Sequence, residues 1–406
     1  MLLFTIDFFR EFLGIKIPMV FTYTSTRMIL AAITSLIICI FLGPRFIKKL
    51  YELKIGQSIR TDECPHLGVL HQKKKDTPTM GGVLILFSMI VSLLLWMKLT
   101  HIFTLILIIT TLLLGFLGGW DDYLKLKYKN SKGLSSKKKF LYQVLISALL
   151  PLYLLSPTLN AATPFKRWFD PPIVKEQTVS KNAQEEKLIA QVSLKEYATR
   201  FYIPFFKDPV LTFSGFMTIL AALFMIFVVT GASNAVNLTD GLDGLAAGCL
   251  IMVAGCLALI AFVSNNIDLA SYLNILYIEG SGEIAIYLSA LAGACLGFLW
   301  YNSYPAQVFM GDTGSLALGG ILGVCAILLK KEMLLGIIGG IFVAETLSVI
   351  LQVGSFKLRN KKRIFLCTPL HHHFEFKGWP ETKVVIRFWI VGLLLAIVGI
   401  ASLKFQ

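Results

Sequence analysis

The sequence has little charge for its length. Of its 406 residues only 15% are Asp, Glu, Lys or Arg, whereas 56% are hydrophobic, and the mean hydropathy is +0.72. A soluble domain carries about 25% charged residues, and it needs them to cover its apolar core with a polar shell. The same composition excludes a disordered chain. The sequence therefore predicts an integral membrane protein.

Paired cysteines are also missing. The seven cysteines are an odd number and include no C-x-x-C pair, which argues against a disulfide scaffold. Inside apolar runs, cysteine behaves as a small hydrophobic residue. Five cysteines lie in such runs: Cys39, Cys249, Cys256, Cys295 and Cys325.

Long apolar runs dominate the chain. Spanning a hydrocarbon core of about 30 Å takes roughly 20 apolar residues in a helix, and no strand periodicity points to a barrel. Ten runs approach that length: 26–46, 80–98, 101–120, 139–156, 211–232, 241–263, 284–301, 314–330, 333–353 and 384–404. We expect an all-α integral membrane protein of about ten transmembrane helices, forming a single polytopic domain over residues 1–406.

Basic residues alternate between the connections. Residues 44–76 hold eight Lys or Arg, residues 121–139 and 355–383 hold seven each, and residues 264–283 hold none. Because basic loops stay on the cytoplasmic side, this pattern predicts that both termini are periplasmic. The net charge of +14 therefore indicates membrane topology and anionic lipid contact rather than nucleic-acid binding. Residues 157–210 form an extended periplasmic loop, long enough for a short hairpin or an amphipathic helix.

Polar residues recur at the cytoplasmic ends of the runs, where ionisable groups usually mark a functional site. Adjacent carboxylates at Asp121 and Asp122 repel each other, and a divalent cation or a shared proton would relieve that cost. The alternative is an ordinary acidic helix end beside lysines. Four further polar residues follow at intervals of three, as if along one helix face or one groove: Asn234, Asn237, Asp240 and Asp243. Their oxygens and amides suit a hard cation or a sugar.

Two more segments belong to the same face. Asp312 lies in a glycine-flanked turn, either as a helix cap or beside a bound phosphate. His371, His372 and His373 can bind phosphate, hold a metal or accept a proton, unless they form a solvated loop. This face is thus expected to bring together carboxylates, amides, lysines and histidines. Such a set suits a phosphate substrate bridged by Mg²⁺. The sequence contains no Walker loop, so it gives no indication that the protein uses ATP.

These segments, in this order, resemble the phospho-N-acetylmuramoyl-pentapeptide transferases, within the polyprenyl-phosphate hexose-1-phosphate transferase superfamily, over nearly the whole chain. The segments that carry the resemblance are 77–82, 120–125, 133–134 with Lys139, 234–245, Asn302, 309–315 and 369–375. The resemblance implies a homodimer in the bacterial inner membrane. It implies Mg²⁺-dependent transfer of phospho-MurNAc-pentapeptide from UDP-MurNAc-pentapeptide to undecaprenyl phosphate, giving lipid I and UMP.

The resemblance also implies roles for individual residues. Asp312 is the expected metal ligand, and Asp121 and Asp122 are the acidic pair that joins it and supplies a candidate base. His371 is an expected catalytic residue. The expected substrate-binding residues are Lys74, Thr79, Lys139, Asn234, Asn237, Asp240, Asp243, Asn302, Phe309, Gln352, His372 and His373. Asp76 departs from the glycine that the family usually has before Thr-Pro-Thr.

Two other functions remain open from the sequence. The nearest alternative is a sister enzyme that uses UDP-GlcNAc, and the segments 77–82 and 369–375 favour the muramoyl branch over it. A secondary transporter would carry acids at mid-span, and Glu345 is an acid deep in a run. For Glu345 we favour an internal hydrogen bond to a neighbouring helix.

Overall fold

The computed structural model describes residues 12, 18–53, 77–128, 133–156, 171–179 and 187–404. In chain order its helices and strands are α1 (Thr24–Glu52), α2 (Gly82–Trp96), α3 (Ile102–Lys127), α4 (Ser136–Leu155), β1 (Val174–Val179), β2 (Lys187–Val192), α5 (Leu194–Thr199), β3 (Arg200–Phe201), β4 (Leu211–Thr212), α6 (Thr218–Thr239), α7 (Leu245–Ser264), α8 (Ile267–Tyr272), β5 (Tyr277–Ile278), α9 (Ser281–Asn302), α10 (Gly311–Leu328), α11 (Glu332–Ile338), α12 (Gly340–Leu358), α13 (Leu370–Phe376) and α14 (Glu381–Ala401).

Every predicted apolar run contains a helix. Within the described ranges, nine helices are long and apolar enough to cross a membrane, and α2 is a shorter apolar helix of 15 residues. The ninth run is divided between α11 and α12, which meet at Gly339. The all-α membrane fold predicted from the sequence is confirmed. The periplasmic placement of both termini stays a prediction.

Helix α10 lies at the centre of the bundle. In its apolar stretch of 18 residues, 89% of the residues are buried, whereas the corresponding share is 22% for the stretch that contains α6 and 28% for α1. A helix that is apolar on all sides and buried belongs to the core, whereas an apolar helix exposed to its surroundings faces lipid. The first turn of α10, which carries Asp312, is therefore held by its neighbours.

Glycines allow the backbones of α2, α3 and α10 to touch at the end that carries Asp312. A Cβ atom added to Gly82 would lie 2.1 Å from the Gly314 nitrogen, and one added to Gly118 would lie 2.2 Å from the Asp312 carbonyl oxygen. Small residues permit such close approach between membrane helices. Gly248 of α7 permits a similar close approach, since an added Cβ would lie 2.2 Å from the Trp389 ring.

The long loop 157–210 contains both elements that the sequence allowed. In its described part β1 and β2 form an antiparallel hairpin, and α5 follows directly. Arg200 joins them through ion pairs of 2.6 Å to Glu176 and to Glu196. An open cleft of about 510 Å³ lies between this loop and the far end of α10, away from Asp312.

Candidate active site

Three carboxylates from two helices meet at one end of the bundle. Asp121 and Asp122 end the apolar part of α3, and Asp312 lies in the first turn of α10. Ligand oxygens of the three lie within 4.8 Å of one another. Asp121 and Asp122 are only 1% and 2% exposed. The close approach at Gly118 brings these acids together although they are far apart in the sequence.

Two lysines partly balance this acidic cluster. The Nζ atom of Lys125 lies 2.7 Å from Asp312 Oδ2 and 2.8 Å from Asp121 Oδ2. Lys139 of α4 pairs with Asp312 and lies 3.3 Å from Asp121 Oδ2. Three carboxylates against two ammonium groups leave one formal negative charge. Because all the acidic ligand atoms are oxygens, the cluster could hold a hard divalent cation.

The adjacent carboxylates make different contacts. Asp122 accepts hydrogen bonds from the backbone nitrogens of Asp312 (3.2 Å) and Thr313 (2.9 Å), and from the Thr313 hydroxyl (2.8 Å). It therefore caps the start of α10 from another helix. Asp121 accepts a hydrogen bond from the Leu134 nitrogen at 2.6 Å. The sequence left open whether Asp312 caps α10. In the structure the side chain that caps this helix is Asp122.

The Asn and Asp residues spaced by three make different contacts. Asn237 donates to Asp312 Oδ1 (2.7 Å) and to Ser315 (2.8 Å), whereas Asn234 donates to Gln143 of α4 at 2.9 Å. That all four line one groove stays a prediction. Each step of three residues turns a helical side chain by about 60° relative to the last, so residues spaced this way drift around the helix.

The other two members of that series follow the end of α6. Asp243 accepts a hydrogen bond from the Ala306 nitrogen at 2.9 Å. For Asp240, burial and then the negative charges of Asp312 and Asp122 raise the pKa of the carboxyl to about 7. The direction of the shift follows from burial first and from the nearby negative charges second.

The three histidines lie on the short helix α13, in three different environments. His371 has no exposed surface, and an added Cβ on Gly241 would lie 2.3 Å from its Nε2 atom. His372 Nδ1 lies 2.7 Å from Glu375 Oε2, and His373 accepts a hydrogen bond from the Leu366 nitrogen. A solvated loop is therefore the wrong description for His371.

Two of the expected substrate-binding amides hold loops together. Gln352 accepts hydrogen bonds from the nitrogens of Ile364 (2.9 Å) and Phe365 (3.0 Å), and donates to the Phe365 carbonyl. Asn302 accepts from the Gly244 nitrogen (3.0 Å) and donates to the Val308 carbonyl (2.9 Å). Both side chains shape the site by fixing backbone, a function that the sequence pattern did not indicate.

The Thr-Pro-Thr segment runs beside the segment that contains Phe309. The Phe309 nitrogen donates to the Pro78 carbonyl at 2.8 Å, and the Gly81 nitrogen donates to the Phe309 carbonyl at 2.8 Å. Thr79 reaches the same turn, since an added Cβ on Gly311 would lie 2.9 Å from its hydroxyl. Lys74 and Asp76 lie outside the described residues.

Sequence reasoning left Lys125 out of the site. It is four residues after Asp121 and three after Asp122, and both spacings place side chains on one helix face. That spacing could have indicated from the sequence that Lys125 pairs with the two acids. Gln143 gave no such signal, because its partners on α6 become its neighbours only in the folded bundle.

Comparison with known proteins adds a separate line of evidence. Residues 104–330 match the family described as Glycosyl transferase family 4, and residues 74–86 match Phospho-N-acetylmuramoyl-pentapeptide-transferase signature 1. The chain is 68% identical to the Phospho-N-acetylmuramoyl-pentapeptide-transferase of Protochlamydia amoebophila (strain UWE25), over 100% of both chains. It is 44% identical to the protein of that name from Desulfotalea psychrophila and 46% identical to the one from Vesicomyosocius okutanii, each over 95% of both chains. The similarity thus includes all the segments that form the acidic cluster.

Proposed function

The chain belongs to the phospho-N-acetylmuramoyl-pentapeptide transferases, and we propose that it transfers phospho-MurNAc-pentapeptide from UDP-MurNAc-pentapeptide to undecaprenyl phosphate. The products are lipid I and UMP, and the reaction is the first membrane step of peptidoglycan synthesis. The protein is a multi-pass protein of the bacterial inner membrane. The observation that carries the proposal is the cluster of Asp121, Asp122 and Asp312 with two lysines at one end of a membrane bundle.

The location of the cluster suits these substrates. It lies where α3 ends and α10 begins, so it lies at an end of the helix bundle rather than halfway along it. A water-soluble nucleotide sugar and a lipid phosphate can meet only at the membrane surface. The same location speaks against a transporter, whose ion site would lie near the bilayer midplane.

Mg²⁺ is the cation that we assign to the cluster, with Asp121, Asp122 and Asp312 as the residues that would hold it. Bound there, it would neutralise phosphate oxygens and make the nucleotide a better leaving group. The fit rests on the all-oxygen ligand set and on the negative charge that the lysines leave uncompensated.

The surrounding side chains supply the rest of the chemistry. Lys125 and Lys139 offer ammonium groups to phosphate oxygens, while Asn237 holds Asp312 in place. Since Asp122 already accepts three hydrogen bonds from α10, Asp121 is better placed to take the proton of the lipid phosphate. An oxygen of that phosphate then bonds to the β-phosphorus, the bond from that phosphorus to the bridging oxygen breaks, and UMP leaves.

A two-step route, in which an aspartate attacks first, would use the same residues. The two routes differ in what happens without the lipid. A phospho-sugar trapped on the protein in the absence of undecaprenyl phosphate would refute the single displacement. The homodimer implied by the family resemblance is also part of the proposal, and cross-linking in native membranes tests it.

The test of the proposed function is UMP release by the purified protein in detergent or nanodiscs. We expect release from UDP-MurNAc-pentapeptide only when polyprenyl phosphate is present. Chelation should lower it at least about tenfold, and added Mg²⁺ should restore it. Equal or faster release from UDP-GlcNAc would instead assign the chain to the sister reaction, and ion flux through liposomes without either substrate would favour a transporter.

Replacing Asn234 tests which asparagines touch substrate. Asn234→Ala removes the bond to Gln143, so we expect the free energy of unfolding to fall by about 1 kcal/mol, with UMP release per folded molecule within about threefold of wild type. Asn237→Ala is the matched variant on the same helix, and it should lower release much more because Asn237 contacts Asp312. A strong loss in Asn234→Ala at unchanged thermal stability would give this residue the substrate-binding role that the resemblance implies.

A further inference from the structure

Glu345 is a buried acid that the transfer chemistry above does not use. It lies within α12 and has no exposed surface. An unpaired carboxylate at such depth is costly, so its partner should be identifiable. Its oxygens accept hydrogen bonds from the His371 backbone nitrogen, at 3.1 and 3.4 Å. The internal hydrogen bond to a neighbouring helix that we expected from the sequence is therefore confirmed.

Glu345 also faces the His371 ring. Its Oε2 atom lies 3.2 Å from Nδ1, although the two are not aligned as a hydrogen bond. Among the described residues, neither ring nitrogen of His371 has a hydrogen-bond partner, and the residue has no exposed surface. A buried polar ring without partners is costly to maintain, which indicates that the ring is kept for a ligand or a reacting group.

The far side of the ring points toward the acidic site. Its Nε2 atom packs against Gly241, where a Cβ would lie only 2.3 Å away. Gly241 follows Asp240, which is close enough to Asp312 and Asp122 to feel their charges. His371 thus lies between a carboxylate inside the bundle and the turn that adjoins the acidic cluster.

We propose that Glu345 is a positioning residue for the transfer reaction and acts through His371. The inference rests on the proposed function. Both oxygens of Glu345 hold the backbone of α13 at His371, and Oε2, which also lies beside Nδ1, favours the ring tautomer with its proton on Nδ1. The Nε2 lone pair is then directed at the turn beside Asp240. Carboxylates that orient a histidine in this way are typical of catalytic and metal sites.

A purely structural role makes a different prediction for a conservative variant. Glu345→Gln keeps the size of the side chain and an oxygen that can accept the His371 backbone hydrogen bond. It removes the negative charge beside Nδ1. If only backbone anchoring matters, Glu345→Gln will behave as wild type and Glu345→Ala will be unstable. If the ring is oriented through charge, Glu345→Gln will fold normally and lose turnover.

The kinetic test uses four variants and UMP release. We expect Glu345→Gln to lower kcat about tenfold or more while KM for UDP-MurNAc-pentapeptide changes less than about threefold and thermal stability is retained. In a His371→Ala background the same substitution should cause no further loss, because its effect passes through the ring. Ser348→Ala is the matched control, since Ser348 is buried on the same helix and, within the described part of the chain, its hydroxyl donates only to the Glu345 backbone carbonyl.

A second measurement does not depend on activity. With ¹⁵N-labelled histidine, the His371 ring signals are assigned by their absence in His371→Ala, and they should report the Nδ1-protonated tautomer in wild type and a changed tautomer in Glu345→Gln. Wild-type kcat in Glu345→Gln, equal losses in both backgrounds, or unchanged ring signals would each overturn the inference. If the wild-type protein releases no UMP but its ring signals respond as expected, the proposed function fails while the Glu345–His371 pairing stands.

Discussion

Asp312→Ala is expected to lower UMP release by about 10³-fold or more in a protein that still folds. The carboxylate of Asp312 is the point where Lys125, Lys139 and Asn237 meet. Without it, the two ammonium groups lose one of the two carboxylates that they share, and the proposed metal site loses one of its three acids. The backbone nitrogens at the start of α10 donate their hydrogen bonds to Asp122, so the helix itself should remain in place.

The measurement compares UMP release with thermal unfolding and size-exclusion elution of the same preparations. Asp268→Ala serves as the control, because Asp268 is an exposed acid on the short helix α8, and it should retain full turnover. Asp312→Asn should resemble Asp312→Ala, since an amide keeps the volume but not the charge. Turnover within threefold of wild type in either Asp312 variant would refute the assignment of this carboxylate to the reaction.

Gly118→Ala is expected to cost about 10²-fold in activity although it adds a single methyl group and removes no polar side chain. The new Cβ would lie 2.2 Å from the Asp312 carbonyl oxygen and 2.6 Å from its carbon. Both neighbours are backbone atoms, so α3 and α10 must move apart. A displacement of about 1 Å in a catalytic arrangement can cost that much, and here it would separate Asp312 from Asp121.

The adjacent glycine provides the control for this prediction. A Cβ added to Gly119 would meet only the Thr313 side chain, at 3.6 and 3.9 Å, which is ordinary contact. Gly119→Ala should therefore keep wild-type turnover, while Gly118→Ala should also lose about 1–3 kcal/mol of stability through overpacking. Equal activities of the two variants in the UMP assay would show that the spacing between α3 and α10 does not control the reaction.

The sequence predicted the parts of this structure that depend on local pattern. Apolar runs of sufficient length can only be helices in a bilayer, so all ten were found from their composition. The acidic residues at the ends of the runs also predicted a cluster, because a carboxylate at membrane depth is too costly to keep without a purpose. Asp121, Asp122 and Asp312 do come together.

What the sequence could not predict depends on which helix faces which. Asn234 and Asn237 look alike in the sequence, but one bonds α4 and the other bonds Asp312. Asp121 and Asp122 are neighbours, and yet only Asp122 reaches the backbone of α10. A difference of one position turns a side chain by about 100° around a helix, and only the packed bundle determines what it then meets.

The contact between Asp122 and the start of α10 also bears on biosynthesis. Its two partners are separated by 190 positions along the chain. While the ribosome is still producing α4 to α9, Asp121 and Asp122 have been made but Asp312 has not. The cluster of three acids is then incomplete. We therefore expect that the cluster can form only after α10 has been made, and that a chain ending before Gly311 lacks it.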